Sequence, residues 1–341
     1  MASKIPTTVL PCGLNVSKQG LGLMGMSAFY SSANTIMEDQ AIKVFTHAVN
    51  SGVTLFNTAD FYGPLNKTGY GHNLRLLSKC LKAPGIDRNK LQIMMKIGID
   101  TRQGTFKHNA SPKDLKTTVD WALKELGGLD MIDVLVLNRE DPAVPLEDSV
   151  DALYDFVKEG KARYIGLSEF SAGNIRRAAA RAPIACVEME WSLMSRDIES
   201  SVVPTCRELG VGIVAYAPLS RGMLSGTMNG IPADYRGTSP RFKKENFAHN
   251  MALVDALKVV ADRKGCTPGQ VALAWVHAQG SDVVPIPGTT SLENLSSNLK
   301  AAFIELTADD LAAIQATFPA DAVKGDRYSN MAMTYHGNKV Q

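Results

Sequence analysis

The chain has 341 residues, 45% hydrophobic and 21% charged, a balance that supports a large core and excludes wholesale disorder. Thirty-six Lys and Arg offset thirty-four Asp and Glu to leave +2, and no long run of one sign marks a nucleic-acid or anionic-membrane surface. No apolar stretch reaches the roughly 18 residues that span a bilayer, and Met1-Ala2-Ser3-Lys4 opens no secretory core, so a cytoplasmic protein is expected.

A hairpin around Cys12 to Ser17 is expected first. Eight apolar runs then read as strands buried on both faces: Gly20 to Met26, Leu55 to Ala59, Leu91 to Gly98, Ile132 to Asn138, Tyr164 to Ser168, Cys186 to Trp191, Gly212 to Leu219 and Val283 to Gly288. An amphipathic stretch follows each: Met37 to Asn50, His72 to Lys82, Pro112 to Leu126, Leu146 to Lys158, Asn174 to Arg181, Val202 to Leu209, Met251 to Arg263 and Leu292 to Ala302. Ser111-Pro112 sets an N-cap before a first-turn proline, and Thr290 with Glu293 has capping-box spacing. The length admits two domains or one barrel. Eight right-handed crossovers close naturally into a (β/α)8 TIM barrel, while a doubly wound α/β sheet would need a reversal of strand order that sequence does not reveal. The expectation is one barrel domain over 1–341, with its core at about 7–318, an N-terminal hairpin and a C-terminal helical extension near Ala308 to Thr317. The long segment Ser220 to Phe247 is a lid, a binding loop or disorder.

The five cysteines are odd in number and far apart, which fits reduced structural thiols, and neither they nor the six histidines have metal-ligand spacing, so no metal is expected. Gly20-Leu-Gly22-Leu-Met-Gly25 matches a dinucleotide fingerprint, but the next helical pattern starts only near Met37, so a tight first strand is the better reading. No nucleophile elbow or Walker lysine loop is present.

A parallel barrel carries its chemistry at the C-terminal strand ends. The polar residues there are Asn57, Asp60, Tyr62, Lys96, Asn138, Ser168, Glu169, Glu188, Glu190 and Tyr216. Lys96 ends an otherwise apolar run; it either snorkels from the barrel mouth or sits beside a tyrosine whose pKa its charge lowers, making a phenolic acid.

The stretches Phe56-Asn-Thr-Ala-Asp-Phe-Tyr62-Gly, Met95-Lys96, Ile165-Gly-Leu-Ser-Glu169, Ala215-Tyr-Ala-Pro-Leu219 and Ile286-Pro-Gly-Thr289, in this order at strand ends, resemble the aldo-keto reductase superfamily over about residues 7 to 318. The resemblance implies a barrel that holds an extended NADPH, with Tyr62 as the acid that protonates a carbonyl and Lys96 as its partner. Most members carry an aspartate five residues before the tyrosine and a histidine at the end of the fourth strand; here these are Asn57 and Asn138, of which Asn138 keeps an amide for the substrate oxygen. Glu169 and Glu188 stand where many members have Asn and Gln, and with Ser168 they are expected at the nicotinamide carboxamide. Tyr216 would stack on the nicotinamide, while Gly25, Met26, Leu219, Arg221, Thr289, Thr290, Ser291 and Asn298 would line the rest of the cofactor. Thr290, Ser291 and Leu292 replace a commonly basic stretch facing the 2′-phosphate.

These departures, together with Val187 to Glu199, resemble the pyridoxal reductase branch, which implies reduction of pyridoxal to pyridoxine or of a similar aromatic aldehyde. A general aldehyde or aryl-alcohol reductase and a cofactor-binding homologue with little turnover remain as alternatives. A small-molecule aldehyde is the expected partner, with neither nucleic acid nor membrane, and oligomeric state stays open.

Overall fold

The computed structural model describes residues 4–31 and 36–336; Met1 to Ser3 and the span 337–341 of the expected domain lie outside the described residues. The chain opens with an antiparallel hairpin of β1 (Thr7–Val9) and β2 (Asn15–Ser17). The barrel strands are β3 (Leu21–Gly22), β4 (Leu55–Ala59), β5 (Gln92–Ile97), β8 (Ile132–Leu137), β9 (Ala162–Ser168), β10 (Ile184–Glu190), β11 (Gly212–Tyr216) and β12 (Val283–Pro285), with a small hairpin of β6 (Ile99–Asp100) and β7 (Lys107–His108) after β5. All eight barrel strands run parallel, each hydrogen-bonded to its neighbour in that order.

The ring closes where β3 meets the chain after β12. Gly20 N donates to Pro285 O at 3.0 Å and Gly22 N to Pro287 O at 3.3 Å, with a parallel bridge from Gly22 to Gly288. The glycines make this seam possible, because a Cβ on Gly20 would lie 2.8 Å from Leu55 O and one on Gly22 2.9 Å from Ile286 O. Gly20 and Gly22 of the fingerprint-like run therefore serve backbone packing, as a tight first strand requires. That strand is shorter than expected, since Met24–Met26 forms a 3-10 turn.

Alternation sends every second strand residue inward. Leu55, Met94, Val134, Val136, Cys186, Val214, Val284 and Ile286 fill the interior, and Leu10, Leu14 and Val16 of the hairpin join them, plugging one end. The opposite faces pack against the helices α1 (Glu38–Asn50), α2 (His72–Leu81), α3 (Pro112–Glu125), α4 (Leu146–Lys158), α5 (Ala172–Ala179), α6 (Val202–Glu208), α8 (Pro268–His277) and α9 (Leu292–Lys300). Outside this ring lie α7 (Lys244–Lys264) and the extension α10 (Ala308–Thr317). Ser111 caps α3 as expected, its Oγ accepting from Asp114 N at 3.2 Å.

Two helical expectations need correction. The stretch Met251 to Arg263 belongs to α7, an addition starting at Lys244, while the ring position after β11 is taken by α8. Nine of the ten residues of α8 are buried, all but Pro268, so it has no polar face from which a helical period can be read. The cap of α9 is Ser291, whose Oγ accepts from Asn294 N at 3.3 Å, and not Thr290. The segment Ser220 to Phe247 contains three 3-10 turns and the start of α7, and crosses the mouth: Asp234 accepts from Ser31 N at 3.1 Å, and the Tyr235 and Tyr30 rings meet edge to face at 5.2 Å. All five cysteines are free thiols. Among the described residues no helix is long and apolar enough to cross a membrane.

Candidate active site

Above the apolar interior layer, at the C-terminal strand ends, the inward positions turn polar. Lys96 of β5 is 2% exposed, so its ammonium has lost almost all its water and needs anionic and hydrogen-bonding partners. Glu188 of β10 supplies the first: Lys96 Nζ lies 2.9 Å from Oε1 and 3.1 Å from Oε2. Asn57 of β4 closes a triangle, its Oδ1 accepting from Lys96 Nζ at 2.5 Å and its Nδ2 donating to Glu188 Oε2 at 2.7 Å. The Tyr62 ring lies over the ammonium, 5.0 Å from its centroid.

The phenol of Tyr62 is pushed well above its ordinary value of 10, first by burial and then by the Glu188 carboxylate. The lowering expected from a neighbouring lysine is reversed here, since that lysine is itself paired. Lys96 is lowered by burial, with Glu188 pulling the other way. Asn138 follows β8, and its Oδ1 accepts from Arg139 Nη1 at 3.2 Å; the same guanidinium reaches Ser168 Oγ at 3.3 Å.

Beside this triangle lies a second buried cluster. Glu169 and Glu190 are both 0% exposed. Arg327, from the C-terminal segment, grips Glu169 with two bonds of 2.9 and 2.8 Å and reaches Glu190 at 3.3 Å. Arg221 holds Glu190 at 2.6 and 3.2 Å, and Arg241 stands 3.7 Å from it. Burial alone would raise the Glu169 carboxyl, but the Arg327 guanidinium overrides it and holds the group at about 2. Glu169 adopts φ +59, a left-handed conformation costly for a residue with a Cβ, and its side chain is fixed there by Arg327 and by Tyr216 Oη, which donates at 2.9 Å.

A cavity of about 1210 Å³ runs from this floor to the N-terminus of α9. Tyr62, Lys96, Asn57, Asn138, Ser168, Glu188 and Tyr216 line one end, and Thr289, Thr290, Glu293, Asn294 and Asn298 the other. Over Tyr62 its wall is aromatic: Phe61 lies 5.0 Å away and Phe29 6.4 Å, with Phe106 5.9 Å and Tyr235 6.0 Å from Phe29. A cavity with one polar end and a helix N-terminus at the other fits an extended dinucleotide, whose anionic groups favour such N–H donors.

The aldo/keto reductase family model matches residues 20–318. The chain belongs to the aldo/keto reductase family. Among solved structures it is similar to the glycerol dehydrogenase AKR11B4 from Gluconobacter oxydans, with a TM-score of 0.81 at 24% identity over 93% of this chain and 95% of that one. It is also similar to the thermostable aldo-keto reductase Tm1743, described in complex with the inhibitor epalrestat, with a TM-score of 0.72 at 26% identity over 92% of this chain and 100% of that one.

Within this aldo/keto reductase barrel, the residues expected at the reacting end converge on one floor, whereas the expected cofactor residues divide. Gly25, Ser168, Tyr216, Leu219, Arg221, Thr289, Thr290 and Asn298 line the cavity. Met26 packs into the apolar core, Ser291 caps α9, and Glu169 lies beneath the floor with Arg327. Glu188 lines the cavity with both oxygens turned to Lys96, and the Arg221 guanidinium is engaged by Glu190. Arg139, Arg327 and the aromatic wall were not legible in the sequence. Arg327 lies 158 positions from Glu169, and no local pattern marks a pair that distant.

Proposed function

We propose that the protein is an NADPH-dependent reductase that converts the aldehyde of pyridoxal, or of a similar aromatic aldehyde, to the primary alcohol. The observation that carries this reading is the buried Tyr62 phenol, beside the Lys96 ammonium, at the base of an aromatic-walled cavity. A reduced nicotinamide, when bound, supplies hydride to the carbonyl carbon. Tyr62, kept protonated by its burial, gives its Oη proton to the carbonyl oxygen as negative charge develops there. Lys96 stabilises the phenolate that remains, which regains its proton from solvent. Asn138 has its Oδ1 taken by Arg139 and so presents its N–H bonds to the substrate oxygen. Phe29, Phe61 and Phe106 exclude water and offer ring faces to a flat substrate. At the far end, Thr289, Thr290, Asn298 and the α9 backbone would hold the adenosine portion of the cofactor.

The pyridoxal assignment draws on the likeness of Val187 to Glu199 and of Asn57 to that branch, and the aromatic wall favours planar aldehydes generally. Cofactor oxidation is therefore to be followed with pyridoxal, nitrobenzaldehyde and glyceraldehyde, in NADPH and in NADH. A kcat/KM for pyridoxal at or above that for nitrobenzaldehyde is expected; the reverse order makes the protein a general aryl aldehyde reductase. Tyr62→Phe is expected to lose about 100-fold or more in kcat. Equal rates in the two proteins remove Tyr62 from the chemistry, and NADPH binding without turnover of any aldehyde favours the cofactor-binding alternative.

A further inference from the structure

We propose that Glu188 is the positioning residue that provides the counter-charge of Lys96, so that the carboxylate partner of the ammonium comes from β10 across the barrel, with Asn57 as the neutral link between them. The geometry is specific. Both Glu188 oxygens lie within 3.1 Å of Lys96 Nζ, both groups are 2% exposed, and Asn57 accepts from one while donating to the other. Among the described residues, the salt bridge to Glu188 is the one ion pair that Lys96 makes.

Asn57 and Glu188 form a matched choice. Asn57 Nδ2 sits 2.7 Å from Glu188 Oε2, so an aspartate at position 57 would bring two carboxylate oxygens together. They could not both stay ionised, and one would take up a proton. An amide avoids this, because it presents an acceptor to the lysine and a donor to the glutamate. Reach explains the residue type on β10: Glu188 extends across the barrel interior to a lysine on β5, and one fewer methylene would open the contact.

The role differs from holding the nicotinamide carboxamide, because it acts on the tyrosine through the lysine. With its counter-charge removed, the buried ammonium is less stable, Lys96 loses its proton at lower pH, and the phenolate left by Tyr62 loses its support. The charged and titratable groups that act on Lys96 are Glu188 from β10, Tyr62 and Asp60 after β4, and Arg139 after β8. Of these, Glu188 is the anion in contact.

The kinetic part of the test rests on the reductase reading, while the unfolding part does not. Glu188→Gln is expected to lower kcat at least about tenfold. Its NADPH affinity, read by tryptophan quenching, should stay within about twofold, and its basic pH limb should move down by about one unit or more. Asn57→Asp alone should bring no gain, but the double variant N57D/E188Q, which moves the carboxylate from β10 to β4, should recover most of the lost kcat and return the limb. Loss of NADPH affinity with kcat unchanged would overturn the proposal, as would a double variant no better than Glu188→Gln. Should the wild type reduce no aldehyde, the reductase reading fails and urea unfolding decides this one. Glu188→Gln destabilised and N57D/E188Q recovered supports the pairing, whereas equal stability in all three proteins overturns it. If Glu188→Gln does not fold, a folded double variant supports the proposal and an unfolded one overturns it.

Discussion

At Tyr62 two effects oppose each other, and their balance decides what kind of acid the residue is. An ammonium 5.0 Å from the ring favours the phenolate, but that ammonium is held by a carboxylate 2.9 Å away, so the field at the phenol is that of a pair and not of a cation. Burial then wins and raises the phenol. Because burial also lowers Lys96 from 10.5, the lysine loses its proton before the tyrosine does, and the basic limb of activity belongs to Lys96. In the free protein, the wild-type minus Tyr62→Phe ultraviolet difference spectrum should therefore show no tyrosinate absorbance up to pH 10. Tyrosinate appearing well below that pH would mean that the lysine, and not burial, governs the phenol. Lys96 was legible in the sequence because a lysine ending an apolar strand run is anomalous, whereas the role of Tyr62 came from the resemblance of its stretch to the aldo-keto reductases. The direction of the tyrosine shift was not legible, because it depends on Glu188, which lies 92 positions from Lys96.

Strands and ring helices were legible to within a few residues because continuous apolar runs, from burial on both faces, and amphipathic helix faces imprint on the sequence; β4 and α4 have the expected bounds. The exceptions share a cause, which is that position in the fold overrides local pattern. Helix α8 is buried all round, and the seam strand β3 is cut short by a 3-10 turn. The seam also makes a discriminating prediction about the three glycines of the fingerprint-like run. A methyl group on Gly20 would meet Leu55 O at 2.8 Å and Ile286 Cγ2 at 2.9 Å, and a backbone carbonyl inside a closed barrel cannot step aside cheaply. On Gly25 the nearest atom is a Tyr30 ring carbon at 3.4 Å, which is ordinary contact. Gly20→Ala should cost about 1–3 kcal/mol in urea unfolding, as overpacking does, while Gly25→Ala stays within about 0.5 kcal/mol. Equal costs at both positions would show that the seam is not what these glycines serve.

Over the molecule as a whole, the C-terminal segment is tied to the mouth of the barrel by a buried cluster of charges. Arg221, Arg241 and Arg327 face Glu169, Glu190 and Asp197, and the C-terminal segment is further stitched down by Ser239 Oγ, which donates to Arg327 O at 2.7 Å, and by Tyr335 Oη, which donates to Asp197 at 2.7 Å. Three cations and three anions make the cluster neutral, so deleting one member leaves a buried charge uncompensated. Arg327→Met should therefore cost about 3–5 kcal/mol at neutral pH. The same pair dictates how that cost varies with acidity. Glu169 titrates at about 2 in the native protein against an ordinary 4.5, so the unfolded chain binds its proton first. The stability it contributes is fully present above pH 4.5 and is lost as the pH falls towards 2. Without Arg327, burial raises the Glu169 carboxyl and that acid loss largely disappears. Urea unfolding of the two proteins from pH 7 to pH 3 should show a gap that narrows as the pH falls, first above pH 4.5 as the raised Glu169 carboxyl of the variant takes up its proton, then below 4.5 as the wild type loses stability. A gap that stays constant across this range would mean that Arg327 supports the mouth by packing alone, without acting on the Glu169 charge.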